Sequence, residues 1–449
     1  MDARYTMRTH QWLDECQIAP EIFEPVIPRL YTLMKPFVTS FQGQVAEPHA
    51  NTSVCGLVSN LARKTIASMA DRFGHSRLPV HALIGWEAWD DAPWRSAWRS
   101  HVTRHVGQGD GVLVCDPSGC AKSGRESGGV ARQWCGRLGT VDHGQVAMYV
   151  GDVSSKGHTL VDQRLFLPTA WTQETARLDK AGVPTAYRAS RTRHQLALEM
   201  WTTNGVGLPQ RWRAGDDEMG RPYGFRRRRA ALGERDLVAV PSHTAMRDLE
   251  PAPPASSGRG RPGQRPWHSV ETWRQSRGEE SWQRIDVRDG RKGPWVVEAV
   301  KRRVGSRTHR RQQGDEERGV VLRDRNRDQQ AVVKVDASLS HAVPETPLGE
   351  CARVAKAAQR IAACLQSSKS AAGVADDEVR HWTGWQQQQT RALLATWLLV
   401  RATERGKNMD PCDDLTTDAP GHRHDRARGV AVRHDVASAQ GVPDATATP

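Results

Sequence analysis

Apolar residues recur at helical spacing through the first quarter of the chain, as in PEIFEPVIPRLYTLMKPFV and VCGLVSNLARKTIASMADRFG, with prolines punctuating the segments. The pattern from Tyr5 to about Gly107 predicts a mainly helical N-terminal region. It then changes. GVLVC ending at Asp116, QVAMYVGDV and HTLVDQRLFLP are short β-rich runs separated by turn residues, spaced like hairpin-connected strands. RTRHQLALEMWTTN (191–204) reads as an amphipathic helix, LPQRWRAGDD as a short strand ending in acids, GFRRRRAALGER as a helix and DLVAVP as a strand. This alternation up to about Pro241 is that of a mixed α/β fold.

Between Glu250 and Pro266 the stretch PAPPASSGRGRPGQRP is too rich in Pro, Gly, Ser and Arg to pack and reads as a loop. WQRIDVRD, PWVVEAVKRRV, RGVVLRD and AVVKVD follow, and together predict a small antiparallel sheet up to about Asp336. Leu348 to Lys369 and Gln387 to Glu404 are helical in pattern, with LLATWLLV supplying a strongly apolar face. Beyond Lys407 periodicity ceases and a disordered tail is expected. The expected organisation is a helical region (1–107), the first part of an α/β core (108–249), a loop and β-rich insertion (250–347), a helical closing part of the core (348–408) and a tail (409–449).

Charge narrows the partners. Of 449 residues, 64 are Lys or Arg and 51 Asp or Glu, a net +13 that attracts polyanions such as nucleic acid or anionic lipid. No window approaches the roughly 18 apolar residues of a membrane span, and the opening MDARYTMRTHQW has no apolar signal core, so a cytoplasmic protein is expected. Cys16, Cys55, Cys115, Cys120, Cys135, Cys351, Cys364 and Cys412 are scattered without a C-x-x-C pair and read as reduced thiols.

Two places carry candidate chemistry. Asp116 follows Val112, Leu113, Val114 and Cys115 at the end of a strand of buried type, where a rigid element aims a side chain at a ligand. Asp216, with Asp217 and Glu218 beside it, follows the short strand around Arg211–Ala214, so two strand-end carboxylates are candidates to meet at one sheet edge. Carboxylate oxygens suit Mg²⁺ or Mn²⁺, which bind few protein groups and keep positions for phosphate oxygens and water. Two such ions about 3.5–4 Å apart activate an attacking oxygen and stabilise a leaving one. On spacing alone the plainer reading is stronger, because strand-terminal aspartates are common caps and turn formers.

The wording of the chain says more than its spacing. DGVLVCDPSGCAKSG, GVARQWCGRLGTVDHGQVAMYVG, LVDQRLFLP, TRHQLALEM, AGDDEMGRPYGFRRR, LVAVPS, VRDGRKGP, EVRHWTGWQQQQT and LLATWLLV occur in this order, and the likeness runs from about residue 10 to residue 408. Together they resemble the DDE transposases of bacterial insertion sequences, specifically the family named after insertion sequence seven hundred and one. The resemblance implies an α/β fold: an RNase H-like catalytic domain interrupted by a β-rich insertion, with a helical N-terminal region that binds DNA. It implies that Asp116, in the D-P-S-G run, and Asp216, opening the D-D-E-x-G run, are catalytic acids and hold Mg²⁺ or Mn²⁺. Relatives carry the third acid, a glutamate, on the helix after the insertion, in a run like H-R-I-E-E followed at fixed spacing by a lysine. Here the run is QRIAACLQSSKS: Ala362 stands at the glutamate's place, Ala363 at its acidic neighbour's, and Lys369 keeps the spacing. Glu350 and Glu378 are the acids that a local rearrangement would have to bring in instead. Other departures are Gln386, Gln387 and Gln388 where relatives usually have histidines, Arg213 where an apolar residue fits better, and Cys120 with Ala121 before Lys122. Sporadic decay of an element copy explains the set more simply than selection for a new chemistry.

With that resemblance, Arg226, Arg227, Arg228 and Arg229 opening a helix, and Lys301, Arg302 and Arg303 with Arg307, Arg310 and Arg311 in the insert, become candidate contacts to phosphate backbone. Arg259, Arg261 and Arg265 dot the loop, and Lys369 would steady a phosphate. The plainer reading is that such arginines are solvated. Tryptophans number sixteen, and Trp295, Trp382, Trp385 and Trp397 lie in apolar or helix-start contexts that favour core packing over stacking on bases. His194 reads as a polar helix-start residue, and His422 and His424 lack companions for a metal site.

The expectation is a nucleoid-associated transposase that binds terminal inverted repeats and target DNA as a homo-oligomer, impaired by Ala362. The alternatives are an inactive DNA-binding remnant that occupies element ends, and an unstable relic without function.

Overall fold

The computed structural model describes residues 26–38, 46–59, 61–74, 76–78, 92–122, 124–135, 139–253, 264–290, 293–326, 331–376 and 378–408. The tail, Cys16, Cys412, His422, His424, Arg259 and Arg261 lie outside the described residues, as does the side chain of Trp295. The N-terminal part carries helices α1 (Val26–Val38), α2 (Ala46–Val58), α3 (Ile66–Arg72) and α4 (Ala92–His105). α4 buries Trp94, Trp98 and Val102, one helical turn apart, and Phe37 of α1 meets the two indoles at 5.0 and 6.3 Å between ring centroids. No helix among the described residues is long and apolar enough to cross a membrane.

β1 (Val112–Ala121) is the strand around which the sheet is built. Its opening VLVC is fully buried, as a strand covered on both faces requires. It runs antiparallel to β3 (Thr140–Ser154) throughout, but parallel to β5 (Trp212–Gly215) only from Val112 to Cys115. The apolar run predicts an end at Asp116; the strand continues to Ala121 because β3 goes on pairing with it. Pro117 is tolerated there because β1 has just lost its second neighbour and one edge no longer needs an N–H donor. β3 also pairs with β2 (Ala131–Cys135) and β4 (Gly157–Leu165), and β6 (Asp236–Ala239) lies parallel to β5 on its far side. β2 has no counterpart in the hydropathy pattern, since Arg132 and Trp134 expose its alternate positions.

The later strands are β7 (Ala245–Asp248), β8 (His268–Ser269), β9 (Gln283–Gly290), β10 (Gly293–Arg307), β11 (Gln313–Arg325) and β12 (Val332–Ser340). β9 to β12 pair antiparallel in succession, and the array is continuous with the sheet of the core. β12 pairs antiparallel with β6 at Leu339↔Val238 and Ser338↔Ala239, so the order β2-β3-β1-β5-β6-β12-β11-β10-β7-β8 is one surface, with β4 beside β3 and β9 beside β10. The partner of β6 satisfies an edge that would otherwise be bare. The joint is also ionic. Arg226 donates to Glu317 (2.7 Å), to Ser306 Oγ (2.6 Å) and to the Gly220 carbonyl, while His341 lies between Asp236 (3.4 Å) and Glu317 (3.6 Å).

Short helices α5 (Thr169–Thr172) and α6 (Thr175–Lys180) follow β4, and α7 (Arg193–Gly205) opens on a capping box in which Thr192 and Gln195 satisfy each other's backbone N–H. After β5 come the single turn α8 (Asp217–Gly220) and α9 (Tyr223–Ala231); α10 (Val270–Gln275) follows β8. α11 (Leu348–Ala371) and α12 (Trp382–Asn408) close the core, α12 starting at Trp382 rather than at Gln387. α11 lies on the sheet face to which Trp212 and Gly151 belong: Trp212 Nε1 donates to Glu350 (2.7 Å), and a Cβ on Gly151 would come within 2.4 Å of Ile361. Glycine is required there by the close approach of the helix.

Candidate active site

The parallel register runs from Val112↔Trp212 to Cys115↔Gly215; Asp116 and Asp216 are the next residues of the two segments, and the charge of Asp116 acts on Asp216. Directly opposite residues of neighbouring strands share a face and lie about 5 Å apart between backbones. That face is α11's, because Val112 is opposite Trp212 and Val114 opposite Gly151. Asp116 remains in the extended strand, whereas Asp216 caps α8 and accepts the Met219 N–H at 3.1 Å. The cap therefore exists, as the plainer reading expected, and it leaves the second aspartate within reach of the first one's charge.

Electrostatically the pair is under tension. Burial pushes Asp116 up to about 7, opposed by the nearby charge of Lys369 and reinforced by Glu218. Burial also pushes Asp216 up to about 8, and there the charge of Asp116 adds to it, as do Glu218 and Asp217. The Cys115 thiol between the strands is raised well above its ordinary value, first by burial and then by Asp216 and Asp116. A cation held by both carboxylates would relieve this repulsion. The donor set fits Mg²⁺ or Mn²⁺ bound through two carboxylates with water or phosphate completing the shell. Among the described residues no group of three His, Cys, Asp or Glu side chains is arranged to hold a metal.

α11 runs in the direction of β1: Glu350 is level with Trp212, Ile361 with Val114, and Lys369 Nζ reaches the Gly119 carbonyl at 2.9 Å. The aspartates are level with the stretch between Ile361 and Lys369. Arg360 faces α12, where it meets Glu404 (3.5 Å), and Ile361 faces the sheet. At 100° per residue, Ala362 turns to the side away from α12 and shares that stripe with Lys369 seven residues on. Ala362 is exposed. Neither acid named as a substitute reaches this stripe: Glu350 is held by Trp212, Arg211 (3.6 Å) and Arg235 (3.5 Å) at the start of β5, and Glu378 pairs with Arg63 (2.9 Å) on the surface. Sequence reading assigned no role to Glu218, whose charge reaches both aspartates; its carboxylate pairs with Arg193 (2.8 Å) and its carbonyl meets His194 Nε2 (3.0 Å). His194 thus ties the start of α7 to the turn after Asp216.

The basic residues divide. Arg226 and Arg229 are fully buried, Arg226 in the joint described above and Arg229 bonded to Glu234 (2.8 Å) over the Trp201 ring (4.7 Å). This corrects their reading as DNA contacts, because a guanidinium sealed in the core meets no phosphate. Arg227 and Arg228 are exposed. Lys301 is taken up by the carbonyls of Pro344 (2.9 Å) and Thr346, and Arg302 by Glu250 (3.1 Å), while Arg303 is exposed. Arg213 is buried without being misplaced, since Glu234 pairs with it. Gln386, Gln387 and Gln388 are buried in α12, and Trp382, Trp385 and Trp397 pack in the core. Among the described residues, Cys55, Cys115, Cys120, Cys135, Cys351 and Cys364 are not joined in disulfides.

A mixed sheet flanked by helices, with two acids following the last paired residues of two parallel strands, is consistent with the fold of a DDE nuclease. The model of the DDE superfamily endonuclease family matches residues 36–294, more than half of the chain, and the chain belongs to that family. Membership supports a transposase-like function and implies DNA binding, and DDE nucleases typically use divalent metals. The match includes Asp116 and Asp216 and ends before α11. No match was found among curated proteins.

Proposed function

We propose that the chain is an insertion-sequence transposase by descent, of the family named after insertion sequence seven hundred and one, with an RNase H-like core. Asp116 and Asp216 hold Mg²⁺ or Mn²⁺, Lys369 steadies a phosphate, and the protein binds terminal inverted repeats and target DNA as a homo-oligomer. The observation that supports the reading is the parallel register from Val112↔Trp212 to Cys115↔Gly215, which leads into Asp116 and Asp216, together with the action of the Asp116 charge on Asp216. The strand order β4-β3-β1-β5-β6, antiparallel for the first two pairings and parallel for the last two, supports the RNase H-like assignment. When bound, the ion supplies charge stabilisation to a phosphodiester under attack by water or a 3′-hydroxyl. The chain's own groups orient the strand and keep the two carboxylates in register.

In this copy the chemistry is impaired. Ala362 occupies the stripe from which a third acid would face the pair, and losing one carboxylate from such a site lowers the rate on the order of 10²–10⁴. The same departure favours the second reading, a DNA-binding remnant that occupies element ends. Sequencing the DNA that flanks the gene supplies the inverted repeats for one decisive experiment. Duplexes carrying them are mixed with the purified full chain and Mg²⁺ or Mn²⁺, then followed by gel shift and by nicking. Binding without cleavage is expected, with nicking restored by Ala362→Glu and lost again on adding Asp116→Asn. Efficient strand transfer by the unaltered chain would overturn the impairment, and failure to shift the repeats at low salt would overturn the transposase reading.

A further inference from the structure

Arg226 and Arg229 are sealed in the core and Lys301 and Arg302 are bonded to protein groups, so Arg227, Arg228 and Arg303 are the exposed members of that set, and a further basic surface lies on α4. A groove of about 540 Å³ opens between α4 and the C-terminal end of α7. α4 lines it with Ser96, Arg99, Ser100, Thr103 and Arg104, and α7 with Thr203. The α4 positions recur at i, i+3, i+4, i+7 and i+8, a single stripe opposite the buried Trp94, Trp98 and Val102. Thr103 Oγ1 contacts both the Arg99 carbonyl (2.9 Å) and the Gly207 carbonyl (3.1 Å), which fixes one wall against the other.

No carboxylate lines the groove. The neighbouring acids are turned inward or neutralised: Asp162 is buried and accepts from Asn204 (2.9 Å), and Glu199 is held by Arg191 (2.8 Å) and Arg164 (3.4 Å). Burial first, and basic neighbours second, act on the two histidines of α4 beside the groove. His101 is pushed down to about 4, chiefly by burial and then by His105, Arg104 and Arg401, and His105 is lowered by burial with Arg104, Arg401 and Lys156. From Ser96 to Arg104 the stripe is about 12 Å long, which at 3.4 Å per strand phosphate matches an extended polyanion better than one small anion.

We propose that this groove binds the phosphate backbone of duplex DNA, with Arg99 and Arg104 on phosphate oxygens, as a contact separate from the strand being cut. The proposal rests on the DNA-processing reading above. The groove lies where α4 leads into β1 and α7 into β5, and Asp116 and Asp216 follow the last paired residues of those two strands, Cys115 and Gly215.

Fluorescence anisotropy of a labelled duplex of arbitrary sequence, titrated with the full chain over a salt series, tests this. Arg99→Gln/Arg104→Gln should weaken binding about tenfold or more at moderate salt and reduce the slope of log K against log salt by about two, since each neutralised phosphate contributes about 0.9. Arg99→Lys/Arg104→Lys should retain most of the slope. An unchanged melting temperature and unchanged Mn²⁺ binding would confirm that the Gln variant is folded and that its carboxylate edge is intact. Wild-type affinity and slope in the folded Gln variant would overturn the groove while leaving the transposase reading in place. Absence of duplex binding by the wild type at low salt would overturn both.

Discussion

Two clusters of acids lie on the same sheet, one buried and one half-buried, and are treated in opposite ways. At the joint between β6 and the added strands, Asp236 and Glu317 are completely buried, yet Arg226 and His341 stand between them and Ser306 completes the bonding. Where the pairing of β1 with β5 ends, Asp116 and Asp216 are carboxylates whose protonation is driven up by burial and, for Asp216, by the other's charge. Lys369 is the cation that acts on Asp116, and its Nζ is spent partly on the Gly119 carbonyl. The first cluster is built to be stable as it stands. The second carries repulsion that a ligand would remove, and such strain is what a binding site retains at the expense of stability.

The contrast predicts mutations of opposite sign. Removing one partner from the joint leaves a guanidinium buried without its counter-charge, so Glu317→Ala should cost about 3–5 kcal/mol in urea unfolding. A midpoint equal to wild type would mean that the joint is not held by charge. Asp216→Asn relieves repulsion and should raise the metal-free Tm at pH 8 by a few degrees, at about 2–4 °C per kcal/mol. It should also abolish any Mn²⁺-induced increase in Tm. A lower Tm in that variant would place Asp216 with the structural acids.

The pH profile sharpens the comparison with smaller effects. Asp116 and Asp216 titrate near 7 and 8 in the folded chain, against an ordinary value of 3.8. Between those limits the folded state keeps protons that the unfolded chain has released, so stability falls as pH rises through the interval. Mn²⁺ should therefore raise Tm more at pH 8 than at pH 6, and a flat metal response would contradict the shifts. His341 works through the opposite charge type. Burial lowers its pKa, but the bond and charge of Asp236 and the charge of Glu317 outweigh this, so the ring's pKa is raised. Its contribution is full below its ordinary value of 6.5 and fades as pH rises through the folded value. His341→Gln should flatten only the part of the profile just above that point, with Mn²⁺ binding unaffected.

Much of the core was legible because its strands are short apolar runs and its helices are capped by local chemistry. VLVC and the box at Thr192 and Gln195 are such signals, and β1, β3, β4, α7, β5 and β6 follow from them. The aspartate pair was legible through the wording around Asp116 and Asp216, whereas their shared face depends on a register between strands that no local pattern encodes. The arginine run shows where reading fails. RRRR gives no hint that its outer members are buried, although their i, i+3 spacing beside Phe225 is compatible with a common inner face. The partner that makes burial tolerable, Glu317, lies 91 residues further along and is invisible to composition.

The continuity of the sheet through β6 and β12 bears on how this protein can be taken apart. The inserted segment is attached by backbone pairing over Leu339 and Ser338, so it is not an appendage that can be trimmed at its loop. A chain cut short after β6 would display that strand's open peptide groups together with the stranded Arg226, a template for pairing with another truncated copy. Such fragments should precipitate or associate through that raw margin.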